Sequence, residues 1–167
     1  MEKIAQFYKV SEEQFINDWR AATGSSVEEA KSVYANIRLP RRATKGSAGY
    51  DFFAPESFTL VPHETILIPT GIRVMIEDGW VLQLYPRSGL GFRHRLQLDN
   101  TVGVIDSDYT GEIRVGLVNL SDEAYTIQPG ERVAQLCIAP VYTAAFVQAD
   151  ALDETARGEG GFGSTGK

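Results

Sequence analysis

The sequence predicts a mainly β protein, a sandwich or barrel, with short helices ahead of it and a glycine-rich tail behind. Two observations carry the β reading. Short strand-like runs (Thr65 to Ile68, Trp80 to Tyr85, Ile113 to Asn119, Val133 to Ile138) recur after Ile37 with Pro, Gly, Asn or Asp between them. Within them Trp80, Leu82 and Leu84 alternate with Val81, Gln83 and Tyr85, and Ile113, Val115 and Leu117 alternate with Arg114 and Gly116. A period of two, punctuated at Pro62, Pro69 and Pro129-Gly130, is the pattern of a many-stranded antiparallel fold. A third observation sets the ends: helical spacing marks residues 1–36, and glycines crowd the last residues.

In order, residues 1–36 read as a helical N-terminal extension. Ser11-Glu12-Glu13-Gln14 has the form of a capping box, followed by Phe15, Trp19 and Ala22 at helical spacing and a stop at Thr23-Gly24. Ser25 or Ser26 can cap a second short helix carrying Val27, Ala30, Val33 and Tyr34. Helices this short are marginal alone and need tertiary packing. The β domain is expected over residues 37–152. Inside it, Leu96 to Leu98 and Val102 to Ile105 flank Asp99-Asn100-Thr101, which reads as a tight hairpin because Asp and Asn favour turns. Its second arm ends in Asp106, Asp108 and Tyr109, an unusual set for a strand end. Residues 153–167 form the tail. Gly158, Gly160, Gly161, Gly163 and Gly166 are too dense for a stable element, so a mobile segment is expected, with Phe162 its one large aromatic.

Bulk properties narrow the function. At 167 residues the chain can bury one real core. A net charge of −6 argues against general nucleic-acid binding, so any polyanion needs a locally basic site; Arg87, Arg157 and Lys167 are placed to help supply one. No apolar run reaches the roughly 20 residues that span a bilayer. The start, Met1-Glu2-Lys3-Ile4, lacks the pattern of a secretory leader, and the single Cys137 sits in an apolar run. The expected location is the cytoplasm, with no membrane partner. His63 and His94 are far apart, and no His/Cys spacing resembles a zinc site.

Five stretches, taken together, carry a family resemblance. They are Ala48-Gly49-Tyr50-Asp51, Pro86-Arg87-Ser88-Gly89-Leu90-Gly91, Gly103-Val104-Ile105-Asp106-Ser107-Asp108-Tyr109-Thr110-Gly111-Glu112-Ile113, Gly130-Glu131-Arg132-Val133-Ala134-Gln135-Leu136, and Arg157 through Gly166. In this order and spacing they resemble the five motifs of the trimeric deoxyuridine triphosphate nucleotidohydrolases, the dUTPases, from about Ile37 onward. The resemblance implies a jelly-roll-like β fold, a homotrimer with shared active sites, and Mg2+-dependent hydrolysis of dUTP to dUMP and pyrophosphate. That reaction keeps uracil out of DNA and supplies dUMP for dTMP synthesis. Residues 1–36 have no counterpart in the motif pattern; packing, or a protein partner, are the readings for them.

Roles follow from the resemblance residue by residue. Asp106 would activate the water that attacks the α-phosphorus, and Asp51 would organise the metal through water. Arg87, Ser88, Gly89, Gln135, Arg157, Gly163 and Ser164 would hold the phosphate chain. Asn100, Val104 and Ile105 would frame the uracil, Tyr109 would lie under the deoxyribose and exclude a 2′-hydroxyl, and Phe162 would stack on the base. Two positions depart from the family: Val102 where Pro is common, and Arg95 where Gly is common, both expected to alter the hairpin.

Other classes were weighed against the same residues. Gly161 to Lys167 fits the opening of a P-loop, but a P-loop needs a preceding strand, a following Ser or Thr, and a helix facing the phosphates. A dCTP deaminase, which shares the fold, carries a catalytic Glu three residues before the Asn of the following strand; here Asn119 is preceded by Gly116. A non-catalytic or regulatory nucleotide-binding trimer is the alternative left open.

Overall fold

The computed structural model describes residues 4–161. Strand β1 (Ala5–Lys9) precedes helices α1 (Glu12–Thr23) and α2 (Val27–Asn36). Strands β2 (Tyr50–Phe53), β3 (Phe58–Leu60), β4 (Thr65–Ile76) and β5 (Trp80–Pro86) lead to helix α3 (Ser88–His94). Strands β6 (Leu96–Leu98), β7 (Gly103–Ile105), β8 (Ile113–Asn119), β9 (Tyr125–Ile127) and β10 (Arg132–Pro140) complete the fold. One sheet has the order β1-β4-β8-β6 and the other β2-β10-β5-β7, with β3 and β9 as a separate pair. All the pairings are antiparallel.

The alternation seen in the sequence does the work expected of it. On β8, Ile113, Val115 and Leu117 face the core with Asn119, while Arg114 is exposed. Ile68, Ile72, Val115 and Leu117 of one sheet and Leu82, Leu84, Val133 and Leu136 of the other are buried in one cluster. Each such side chain contributes about 1.5–3 kcal/mol when fully buried. Asn119 is wholly buried but paired: its Nδ2 donates to the Leu60 and Glu123 carbonyls, and its Oδ1 accepts from Ser121.

The structure corrects three boundaries. Residues 1–36 are not all helical, because Ala5–Lys9 pairs with Ile72–Ile76 of β4 as an edge strand. The five-residue run Ala5-Gln6-Phe7-Tyr8-Lys9 is too short to announce itself by period, and its partner lies far along the chain. The loop Asp99–Val102 does not close a hydrogen-bonded hairpin. Its arms belong to opposite sheets, β6 on β8 and β7 on β5, so the loop crosses the sandwich. Thr101, not Asp99 or Asn100, takes the positive φ there, 67°. The last strand ends at Pro140, short of residue 152. From there to residue 161 only a turn forms, and Phe146 and Leu152 are almost fully exposed.

Helices α1 and α2 start at the expected serines, the complete capping box forming at Ser26 and not at Ser11, while α3 lies in a stretch read as strands and turns. Ser11 accepts from the Gln14 N–H, Gly24 closes α1 at φ 72°, and Ser26 with Glu29 makes a complete reciprocal capping box on α2. Phe15, Trp19, Ala30 and Val33 join the same core as the sheets. Gly71 admits them. It sits at a bulge in β4 with φ 69°, and a β-carbon there would lie 2.3 Å from Ile37 Cδ1 and 3.0 Å from the Phe15 ring.

Phe15→Ala should therefore lower stability by about 3–5 kcal/mol, read from urea unfolding midpoints. Glu13→Ala, on the exposed face, should stay within about 0.5 kcal/mol. Equal midpoints for the two variants would mean that α1 is an appendage and not part of the core.

Candidate active site

Strand β5 carries both halves of the site. On one edge it pairs with β10, Gln135 opposite Tyr85 and Ala134 opposite Pro86; on the other it pairs with β7, Leu84 opposite Gly103 and Leu82 opposite Ile105. β10 in turn pairs with β2, Gln135 opposite Asp51. Residues distant in sequence thus meet through register alone.

The C-terminal end of β5 opens on a cavity of about 470 Å³ lined by Arg87, Ser88, Gln135 and Arg95 among others. Behind it Asp51 is buried between two guanidinium groups: Arg87 Nη1 at 2.6 Å from Oδ1 and Arg132 Nη1 at 3.4 Å from Oδ2. A carboxylate offers about four lone-pair sites, and the two guanidinium contacts occupy only part of them. Arg87 keeps donors to spare while its direction is fixed. Gln135 is held too: its Nε2 donates to the Pro86 carbonyl at 3.1 Å. A β-carbon on Gly49 would stand 2.6 Å from Gln135 Oε1, so Gly49 is what lets the amide lie there.

A second cavity, about 450 Å³, is lined by Asn100, Val104, Ile105, Asp106 and Tyr109. Asp106 is exposed at its edge, and the Tyr109 N–H donates to the Asp106 carbonyl to close the turn. The Tyr109 hydroxyl donates to the Glu112 carbonyl at 3.0 Å, with Gly111 packed so closely that a β-carbon would lie 2.5 Å from that oxygen. Both cavities are in the size range of small-molecule sites. Along β5 the step from Leu82, opposite Ile105, to Arg87 is five residues, about 17 Å at strand rise. The two cavities share no lining residue, so Asp106 and Arg87 open on separate spaces of one chain.

Four groups here carry no role in the sequence-based expectations. Gln14 of α1 lines the second cavity, as do Glu112 and Arg114. Arg114 bridges Glu112, at 3.3 Å, and Asp18 of α1, also at 3.3 Å, so it fastens α1 beside the cavity. Burial pushes the Glu112 carboxyl up, against the opposing pull of the Gly71 N–H and Arg114. The fourth, Arg132 of the Gly130–Leu136 stretch, is the second guanidinium on Asp51. The clamp could not be found without strand register, nor Gln14 without the docking of α1.

The expected residues divide accordingly. Arg87, Ser88 and Gln135 share one cavity; Asn100, Val104, Ile105, Asp106 and Tyr109 share the other. Gly89 lies on α3 and lines neither of them, but a neighbouring pocket with Arg87 and Arg132. Arg157 is in neither cavity; its Nε donates to the Gly160 carbonyl at 2.7 Å. Phe162, Gly163, Ser164 and Lys167 lie outside the described residues. Among the described residues no three His, Cys, Asp or Glu side chains cluster as a metal cage, and no helix is long and apolar enough to cross a membrane.

A two-sheet sandwich with a carboxylate-edged cavity on one side of a strand and an arginine-lined one at its end has the parts of a nucleotide-handling protein. The chain belongs to the dUTPase family, whose model matches residues 35–166. It is 50% identical to the deoxyuridine 5′-triphosphate nucleotidohydrolase of Fusobacterium nucleatum, over 78% of this chain and 91% of that one. With the enzyme of the same name from Hahella chejuensis it shares 52% identity, over 81% and 91%. Among solved structures, a dUTPase of Staphylococcus bacteriophage 80alpha with dUpNHpp superposes at a TM-score of 0.78, 27% identity, over 99% of this chain and 100% of that one. A dUTPase of phage phi11 of S. aureus, described with a structural Mg(II) ion, superposes at 0.69, 25% identity, over 90% and 99%. The jelly-roll-like β fold inferred from the motifs is the fold of these proteins.

Removing the Asp51 carboxylate should loosen both arginines. Asp51→Ala is expected to cost about 1–3 kcal/mol, below the range for a fully buried pair because Arg132 is half-exposed. Chemical denaturation at low and at high salt measures it. A loss under about 0.5 kcal/mol would mean that the clamp contributes nothing.

Proposed function

We propose that this chain hydrolyses dUTP to dUMP and pyrophosphate in sites shared between the copies of a homotrimer. The observation that carries this reading is the split described above: the carboxylate and nucleoside half of the site is separated, on one chain, from the arginine half. In a homotrimer a second copy supplies the other half to each nucleotide, and closed symmetric oligomers do this with a single repeated interface.

In such a site Asn100 and the backbone near Val104 and Ile105 face the uracil, and the Tyr109 ring meets the deoxyribose where a 2′-hydroxyl would clash. Asp106 holds a water in line with the α-phosphorus and takes its proton as the new P–O bond forms. The bond to the bridging oxygen breaks and pyrophosphate leaves. A positioned base of this kind contributes roughly 10²–10⁴-fold, with alignment and charge stabilisation adding the rest. Arg87, Ser88, Gly89 and Gln135 hold the phosphate chain, with the Asp51 clamp keeping Arg87 aimed. Arg157, Phe162, Gly163 and Ser164 of the tail supply the remaining contacts to the nucleotide, Phe162 to the base.

The donor set suits Mg2+, a hard ion that commonly rides on phosphates and water with few protein ligands. Bound there it would neutralise phosphate charge, and Asp51 would meet its water shell through lone pairs that the arginines leave free. Cytoplasmic nucleotide metabolism is the setting this activity fits. The segment 1–36 is a candidate contact surface for a protein partner.

Pyrophosphate release from dUTP, dCTP, dTTP and UTP, with Mg2+ and with EDTA, tests the reading. Release from dUTP alone is expected, lost in EDTA and reduced at least a hundredfold by Asp106→Asn. Release from all four nucleotides would sink the roles given to Asn100 and Tyr109. No release from any would leave a nucleotide-binding trimer.

Sharing has its own test. Neither Asp106→Asn nor Arg87→Gln should be active alone, but co-expressed in equal amounts they should regain activity in about a quarter of the sites, half times half. No regain in mixed trimers, identified by sedimentation, would mean that each chain carries its own site.

A further inference from the structure

We propose that Arg95 is a phosphate-binding residue that joins Arg87 in the cavity at the end of β5. This rests on the phosphate reading of that cavity. Arg95 was expected to shape the loop beside it; the structure instead makes it the C-cap of α3, in the left-handed region at φ 57°. Glycine adopts that conformation freely, whereas a residue with a β-carbon is strained in it.

The backbone holds Arg95 there from both sides. Its N–H donates to the Gly91 carbonyl at 3.2 Å, and its carbonyl accepts from the Leu120 N–H at 3.1 Å. A cation at a helix C-terminus interacts well with the helix dipole, but Arg93 and His94 already occupy the last turn. Helix capping therefore gives no reason for arginine in a place that suits glycine. The side chain gives one.

Arg95 lines the cavity with Arg87, Ser88 and Gln135, and no carboxylate is among the lining residues. Among the described residues its guanidinium has no ion-pair partner, whereas Arg87 is tied to Asp51. A guanidinium grips phosphate oxygens through two parallel N–H bonds, and one not committed to a carboxylate can follow the phosphate chain as it binds. In a chain of net charge −6, a second cation here supplies the local basicity a triphosphate needs. Strain held at a cavity wall is a recurrent mark of function.

Arg95→Gly separates fold from function, because the two respond in opposite directions. The full-length variant is expected to melt at or above the wild-type temperature. It should bind inorganic tripolyphosphate about three- to tenfold more weakly by calorimetry. The KM for dUTP should rise by a similar factor with kcat within about twofold. Arg95→Lys should recover part of the binding as a point charge. Unchanged tripolyphosphate binding in Arg95→Gly would overturn the proposal, as would a drop in melting temperature that accounts for the loss. The dUTP reading fails separately: a wild-type protein that does not hydrolyse dUTP, with the binding loss in Arg95→Gly intact, would leave an anion site on a different enzyme or binder.

Discussion

The pairing of β5 on both its edges is the constraint on which the site depends. β10 fixes Gln135 and, through β2, Asp51 at one end of the strand, and β7 fixes Asp106 at the other. A one-residue slip in either ladder would turn every side chain on the moved strand to the opposite face. Leu82, Leu84 and Leu136 oppose such a slip because they would leave the core. The distance between the two halves of the site is thus a consequence of hydrophobic burial, set before any ligand arrives.

The segment before the family match is tied to this framework by packing and charge. Phe15 and Ile37 fill the space that Gly71 leaves open, and Val10 N–H donates to the Gly71 carbonyl at 2.9 Å. From that anchor α1 runs past the second cavity, where Arg114 couples Asp18 to Glu112. The segment reads as an addition by sequence comparison and as core by packing. Any change that loosens α1 reaches the wall of the cavity through Gln14 and Arg114.

Much of the fold was legible because burial writes a period into the chain: β8 alternates cleanly, and Ser11, Ser26 and Gly24 mark helix ends by their own chemistry. What could not be read was pairing. Nothing local in Leu96–Leu98 or Gly103–Ile105 says that they lie in different sheets, nor in Ala5–Lys9 that β4 waits for it. The motifs gave candidate residues, but not that Asp51 is answered by Arg132 or that Gly49 makes room for Gln135. Arg95 is the sharpest case, since its meaning lies in a φ angle and a cavity wall, neither of which has a sequence signature.

Charge placement explains how an acidic protein can hold a polyanion. Arg38 and Arg41 stand over the Phe53 ring and Arg42 over Tyr50, close to the Arg87–Asp51–Arg132 clamp. Five arginines gathered about β2 would repel one another without a compensating charge among them. Asp51 supplies it from a buried position, where its field is little screened by salt. Asp106, the carboxylate proposed as the base, would weaken phosphate binding if it stood in the same cavity. Placing it at the far end of β5 keeps the cationic cavity free of it on each chain, and the proposed trimer is what would bring it to the phosphates.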